Sequence, residues 1–219
     1  PGHGQSSASQ VTFGVRAASS INRLAASLQS GGYPKPYVLF GVSLGATTAL
    51  RAAASSDHWA AVVALAPFDD VAVVVDNVAS ELPWPLHWLA TPRRRAAVLR
   101  EIAAQTSVTL EQMRLTPALM HYRTPTVGLH SKQDDWIPYA QPQRIAASSS
   151  YIALWLYPNG GDHRMFAVPF WRYCEPLFSW LDQTLYDQQP ASTPSCDRLQ
   201  EALSDQGIEA QPPERIIFD

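Results

Sequence analysis

A serine stands between two glycines in the segment Gly41-Val42-Ser43-Leu44-Gly45, which falls between a predicted strand and a predicted helix. A serine on so sharp a turn needs neighbours without side chains, because Cβ atoms two residues to either side would collide. Such a turn lifts the serine hydroxyl clear of the sheet, and the helix N-terminus that follows favours negative charge in the same space. The pattern therefore predicts that Ser43 is a nucleophile.

A nucleophilic serine needs a base. The chain contains six histidines: His3, His58, His87, His121, His130 and His163. His163 ends the flexible segment 159–163, directly after the last apolar strand, and loops at the carboxyl ends of parallel strands are where such sheets assemble their sites. We therefore predict His163 as the base. His130 ends an interior strand and is expected to be a packed or hydrogen-bonded residue, and His58, His87 and His121 are expected to be surface or satisfied histidines.

The base in turn needs an acid that orients it. Asp134 follows a predicted strand and is our first candidate, with its neighbour Asp135 as the immediate rival. Asp69 and Asp70 form a second candidate pair at an earlier strand end. Asp162 adjoins the histidine and is expected to shape the turn.

Hydrophobic patterning predicts the elements that must position these residues. The predicted elements are a helix over 11–29, a strand over 37–40, a helix over 44–55, strands over 61–66 and 126–130, a helix over 141–147, a strand over 152–157 and a helix over 170–185 that Pro176 kinks or divides. Their alternation is typical of an α/β fold with a mostly parallel sheet and helices on both faces. Residues 68–122 interrupt it with helices predicted over 94–105 and 110–115.

The order Ser43, Asp134, His163 resembles that of the α/β-hydrolase superfamily. Pro1-Gly2-His3-Gly4-Gln5-Ser6 resembles the Gly-His-Gly-x-Ser loop of many members. Residues 131–138 are similar to the family's Gly-x-x-Asp-x-x-(Val/Ile)-Pro stretch. Ser131 stands at the glycine, and the spacing from it favours Asp134 over Asp135. The resemblance covers roughly residues 1–186 and is specific for the fold rather than for a substrate.

The resemblance implies a cofactor-free serine hydrolase that cleaves an ester, thioester or amide through an acyl-enzyme intermediate. Ser43 would attack the carbonyl, His163 would act as base and then acid, Asp134 would orient the imidazole, and the backbone N–H of Leu44 would meet the oxyanion. Two alternatives stay open: a non-catalytic, hydrolase-like binding scaffold, and an acyltransferase that uses the same three residues.

Family members begin with several strands before the Gly-His-Gly loop, and one oxyanion donor comes from that region. The resemblance therefore implies that the N-terminal strands are missing from this sequence. Either they were cropped from a larger protein, or the chain is a weakened enzyme. Losing one such donor typically costs about 10²–10³ in rate.

The resemblance also divides the chain. Residues 1–67 and 122–186 would form the hydrolase core, residues 68–121 a helical cap, and residues 187–219 a loosely held tail in which 195–205 could form a short helix without an assigned role. Four apolar residues of the cap are expected either to form an apolar underside for an acyl chain or aromatic group, or to pack onto the core in the ordinary way: Trp84, Leu86, Trp88 and Leu89. Arg93, Arg94, Arg95 and Arg100 are expected to face water rather than to hold a substrate carboxylate.

Composition limits the remaining function classes. With 219 residues and 46% hydrophobic residues the chain can bury a sizeable core, which excludes disorder as a description of the whole. A net charge of −3 gives no electrostatic reason to bind nucleic acid or an anionic membrane. Two cysteines make neither a disulfide framework nor a four-thiolate metal site. No leader or spanning segment is visible, so we expect a soluble, cytoplasmic protein acting on a small acyl substrate, with no prediction of oligomeric state.

Overall fold

The computed structural model describes residues 10–84, 86–158, 160–163, 171–186 and 209–211, with the side chains of His87, 171–175 and 209–211 left out of the description. The elements in chain order are α1 (Val15–Ser30), β1 (Tyr37–Val42), α2 (Leu44–Ala54), β2 (Trp59–Leu65), α3 (Val71–Ser80), a 3₁₀ turn (Leu86–Leu89), α4 (Pro92–Thr106), α5 (Leu110–Met113), a second 3₁₀ turn (Thr116–Leu119), β3 (Thr126–Ser131), α6 (Ala140–Ala147), β4 (Ile152–Tyr157), α7 (Trp171–Tyr186) and β5 (Glu209–Gln211).

The strands form one sheet in the order β1-β2-β3-β4-β5, in which the first four strands are parallel and β5 is antiparallel to β4. Strands β2 and β3 are almost wholly buried, as continuous apolar runs are when helices cover both faces of a parallel sheet. The predicted α/β class with a mostly parallel sheet is confirmed.

Alternate residues of β2 separate the two hydrophobic layers, because successive side chains of a strand point to opposite faces. Val62 and Ala64 pack with α1, α2 and α6 on one face, and Val63 and Leu65 pack with α7 on the other. Helices therefore cover both faces of the sheet, as the sequence predicted.

Two helices, α3 and α7, differ from their predictions. Helix α3 was not predicted, because its run of five apolar residues from Val71 lacks helical periodicity; it begins at a local signal instead, the Asp70 side chain accepting the N–H of Ala72 at 2.8 Å. Helix α7 continues across Pro176, so this proline does not start a second helix.

The tail contributes to the sheet. Leu154 of β4 aligns with Gln211 of β5, and this pairing corrects the expectation that all of 187–219 is loosely held. Backbone hydrogen bonding rather than apolar patterning joins so short a strand, so hydrophobic periodicity gave no sign of it. The helix expected over 195–205 lies outside the described residues, as does the loop from Pro1 to Ser6.

The fold aligns the carboxyl ends of four parallel strands along one rim of the sheet. β1, β2, β3 and β4 end there at Val42, Leu65, Ser131 and Tyr157. The candidate residues follow these ends directly. Within the described ranges, no helix combines the length and the apolar character needed to cross a membrane.

Candidate active site

Ser43 occupies the turn between β1 and α2, and its backbone is strained. Its dihedral angles, φ 52° and ψ −116°, lie outside the regions that residues with side chains ordinarily adopt. Its N–H donates to the carbonyl of Leu65 at 2.7 Å, which ties the turn to the end of β2. Because α2 begins at Leu44, the helix donors that lack an acceptor within their own helix lie directly beside the hydroxyl.

The two glycines of the turn differ in what they permit. A Cβ on Gly41 would lie 2.4 Å from the carbonyl carbon and oxygen of Gly45 and 2.6 Å from the nitrogen of Ala46, so only glycine fits there. A Cβ on Gly45 would meet no atom within 4 Å among the described residues. The expectation that both positions exclude a side chain is therefore wrong for Gly45, because only a Cβ on Gly41 would point into the opposing backbone.

The imidazole of His163 lies between the hydroxyl of Ser43 and the carboxylate of Asp134. Its Nε2 atom is 3.1 Å from Ser43 Oγ, and its Nδ1 atom is 2.7 Å from Asp134 Oδ2. The three residues follow β1, β3 and β4, so the sheet brings together side chains that are far apart in the chain. With Nδ1–H donating to the carboxylate, Nε2 is free of a proton and can accept one from the hydroxyl.

Asp134 is oriented by the turn in which it lies. Its Oδ1 atom accepts the N–H groups of Trp136 at 3.0 Å and Ile137 at 2.7 Å, which leaves Oδ2 for His163. The side chain has no exposed surface. Local hydrogen bonds therefore hold the carboxylate in place before the histidine is considered.

Asp135 contacts the same histidine through a different group. Its Oδ1 atom accepts the backbone N–H of His163 at 3.1 Å, whereas the ring lies on Asp134. Of the two rival acids, the structure therefore places Asp134 on the imidazole and Asp135 on the main chain.

Two further side chains fasten the histidine loop to the acid loop, and the sequence reasoning did not find them. The Ser131 hydroxyl donates to the carbonyl of Gly161 at 2.6 Å, and the side-chain oxygen of Gln133 accepts the N–H of Gly161 at 3.0 Å. The sequence held one sign of the first contact: Ser131 stands where the family pattern has a glycine, so it has a hydroxyl where the family has no side chain.

Trp136 covers one face of the histidine ring. The two rings are stacked, with centroids 5.0 Å apart and planes 20° apart. Only 9% of the surface of His163 is exposed. A flat aromatic neighbour limits the orientations of the imidazole and shields it from water.

Among the histidines that the structure describes, it is His163 whose ring contacts Ser43 and Asp134. His130 is fully buried, with its Nε2 atom 3.0 Å from the carbonyl oxygen of Ile137. Burial lowers the pKa of His130, against the opposing influence of the Asp134 charge and the Ile137 carbonyl. His58 lies in the turn before β2, and His121 is exposed before β3.

The second candidate acid pair serves the structure instead. The buried Asp69 carboxylate accepts from the backbone N–H of Thr116 at 2.7 Å and from its hydroxyl, and Arg144 Nε lies 3.4 Å away. Burial acts to raise the pKa of Asp69, but these hydrogen bonds and the charge of Arg114 outweigh it, so the pKa is lowered. Asp70 caps α3. Neither acid therefore serves His163.

The four apolar residues singled out within residues 68–121 face solvent. Trp84 is 81% and Trp88 61% exposed, and Leu86 and Leu89 are also exposed. The expectation of core packing is therefore wrong for these four residues, which belong to neither hydrophobic layer, whereas the expectation of an apolar underside stays a prediction. Arg93, Arg94 and Arg100 are exposed, and Arg95 pairs with Asp76 at 3.1 Å.

The chain belongs to the α/β-hydrolase fold family, whose model matches residues 1–149. Its similar solved structures include an esterase of Pyrococcus furiosus, with 15% identity over 84% of this chain and 66% of that chain at a TM-score of 0.60. They also include a puromycin hydrolase, with 17% identity over 84% of this chain and 27% of that chain at a TM-score of 0.57. A 2,6-dihydroxy-pseudo-oxynicotine hydrolase shares 18% identity over 81% of this chain and 48% of that chain at a TM-score of 0.56.

Such identities establish the fold and no particular activity. The chain spans about a quarter of the length of the puromycin hydrolase, at 27%. A comparison with curated proteins gave no significant match. In the part of the chain that the structure describes, no group of three or more His, Cys, Asp or Glu residues is arranged to hold a metal ion.

Proposed function

We propose that the chain is the site-bearing part of a serine hydrolase that cleaves an ester, thioester or amide through an acyl-enzyme intermediate. The observation that carries the proposal is the continuous hydrogen-bonded series from Ser43 through His163 to Asp134. The esterase and peptidase names among similar structures agree with this reaction class.

Acylation follows from the order of these contacts. Ser43 Oγ attacks the substrate carbonyl as its proton passes to His163 Nε2, 3.1 Å away. Asp134, at 2.7 Å from Nδ1, stabilises the imidazolium that forms. The proton then passes to the leaving group, and the Ser43 ester remains.

Deacylation uses the same groups in the reverse sense. Water gives a proton to His163 as its oxygen attacks the acyl carbonyl, and the proton returns to Ser43 when the acid is released. In both steps the Leu44 N–H, at the start of α2, is the proposed donor to the oxyanion.

The test compares wild type with Ser43→Ala in fluorophosphonate labelling and in hydrolysis of short p-nitrophenyl esters, with Ser30→Ala as a control at an exposed serine outside the site. We expect Ser43→Ala to lose labelling and about 10⁶ in rate, and Ser30→Ala to retain both. Mass spectrometry should locate the adduct on the peptide containing Ser43.

Other outcomes distinguish the alternatives. Labelling that persists in Ser43→Ala would refute the nucleophile. A wild-type chain that neither labels nor turns over ester would favour a binding scaffold. Acyl transfer to an added alcohol or amine in preference to water would identify an acyltransferase with the same nucleophile.

A further inference from the structure

An apolar patch projects from the segment between α3 and α4. We define this apolar patch as Leu82, Trp84, Leu86, Trp88 and Leu89, all of which are exposed, with Trp84 at 81% and Trp88 at 61%. The segment is turned back on itself, since the N–H of Leu86 donates to the carbonyl of Pro83 at 2.7 Å. Exposed apolar side chains that lie together in this way mark an interaction site, whereas single exposed apolar residues need no explanation.

The patch belongs to the side of the molecule that carries the candidate active site. Helix α3, which leads into it, begins beside Asp70 at the strand-end rim. Further along α3, the Asn77 side chain donates to the carbonyl of Trp136 at 3.4 Å, and Trp136 stacks on His163. Helix α3, which leads into the patch, is therefore attached to the loop that positions the candidate base.

Positive charge borders the patch. Residues 81–100 contain four arginines and a single acidic residue, Glu81, in a chain whose overall charge is −3. The Nη1 atom of Arg94 donates to the carbonyl of Leu89 at 3.0 Å, which brings its guanidinium to the edge of the patch. Arg95 is paired with Asp76, while Arg93 and Arg100 are exposed.

From this combination we infer that the apolar patch docks on an anionic lipid surface. Tryptophan and leucine enter the boundary between headgroups and acyl chains, where an apolar ring with a polar N–H is favoured. Arginines beside them bind lipid phosphates by charge-assisted hydrogen bonds. The net charge of the whole chain gave no reason to expect this, because it does not show that four arginines lie close together in one segment.

The charge distribution favours a lipid surface over a second copy of the chain. In a two-fold dimer the same patch lies on both sides, so the arginines of both copies would be brought into one interface. An anionic lipid layer offers the opposite sign and accepts the tryptophans as well.

Docking would bring the rim of the sheet to the lipid layer, so the substrate would be an ester held in that layer. This consequence depends on the proposed function, whereas docking does not involve Ser43. Ser43→Ala should therefore bind vesicles as wild type does, and loss of catalysis with retained binding would separate the two proposals.

The experiment is flotation of the full chain with vesicles of phosphatidylcholine alone or of equimolar phosphatidylcholine and phosphatidylglycerol. We expect binding to the anionic vesicles that weakens as salt is added. Trp84→Ser with Trp88→Ser should weaken it by about tenfold or more, and Arg93→Gln with Arg94→Gln by several-fold. Met120→Ser, at an apolar residue 74% exposed outside the patch, is the matched control and should bind as wild type does.

Circular dichroism melting establishes that each variant is folded, which the exposure of the substituted residues leads us to expect. Absence of wild-type binding to anionic vesicles would overturn the inference, as would equal binding to both compositions or binding that survives the tryptophan substitutions. A dimer in sedimentation velocity that the same substitutions dissociate would show that the patch binds a second copy instead.

Discussion

The Asp135 carboxylate accepts the backbone N–H of His163 at 3.1 Å, while the carboxylate of the neighbouring Asp134 accepts from the imidazole ring of His163 at 2.7 Å. Two consecutive acids thus fasten one residue at two points. The histidine is positioned by its backbone and oriented by its ring, so the two carboxylates are expected to have different effects on the reaction.

Asp134→Asn is expected to lower kcat by about 10⁴, because the amide favours the wrong tautomer of His163. Asp135→Asn keeps an oxygen that accepts the His163 N–H and should cost much less. Asp135→Ala removes that acceptor and should cost up to about 10² through misplacement of the ring. Ester hydrolysis by the three variants over a range of pH measures this order, and a larger loss in Asp135→Asn than in Asp134→Asn would transfer the orienting role.

Gly41→Ala is expected to destabilise the fold by about 3 kcal/mol and to abolish activity, because its Cβ would lie 2.4 Å from the backbone of Gly45. Gly45→Ala is the matched control. Its Cβ has open space and alanine favours helix, so stability should stay equal or rise by up to about 1 kcal/mol. Urea unfolding measures both, and similar losses in the two variants would contradict the one-sided approach seen in the structure.

The strained backbone at Ser43 predicts a difference between two inactive variants. Glycine adopts φ 52° and ψ −116° at less cost than alanine does, so Ser43→Gly should be more stable than Ser43→Ala by about 1 kcal/mol. Thermal and urea unfolding compare the pair. Greater stability of the alanine variant would mean that the turn stores no strain.

The buried Asp69 predicts a loss of stability in acid. Because its pKa is lowered in the folded state, its ionised form stabilises the fold above the unfolded pKa of about 3.9, and this contribution is lost as the pH falls through the lowered value. Asp69→Asn should therefore cost about 2 kcal/mol at neutral pH and progressively less below about pH 4.

Asp76→Asn removes the acid of an exposed ion pair and serves as the control, with an expected change within about 0.5 kcal/mol. Urea unfolding from neutral to acidic pH measures both variants. A penalty for Asp69→Asn that is independent of pH would show that the carboxylate charge is not the source of its effect.

Patterns within short stretches of sequence determined the fold class. Continuous apolar runs predicted the buried strands, and their alternation with helical periodicity predicted a mostly parallel sheet, which is confirmed. Ser43 was predicted as the nucleophile because glycines flank it and it lies between a strand and a helix. The order of motifs then led to Asp134 as the acid and His163 as the base. Their catalytic roles stay predictions until the variants are measured.

Tertiary structure alone decided which groups meet. Asp134 and Asp135 are adjacent in sequence, and only the turn made with the N–H groups of Trp136 and Ile137 directs one carboxylate to the ring and leaves the other for the main chain. The contact of Ser131 with Gly161 and the exposure of the apolar patch could not be predicted from the sequence either. Such features depend on how loops from separate strands pack and on what covers each surface, whereas periodicity reports only the environment along one element.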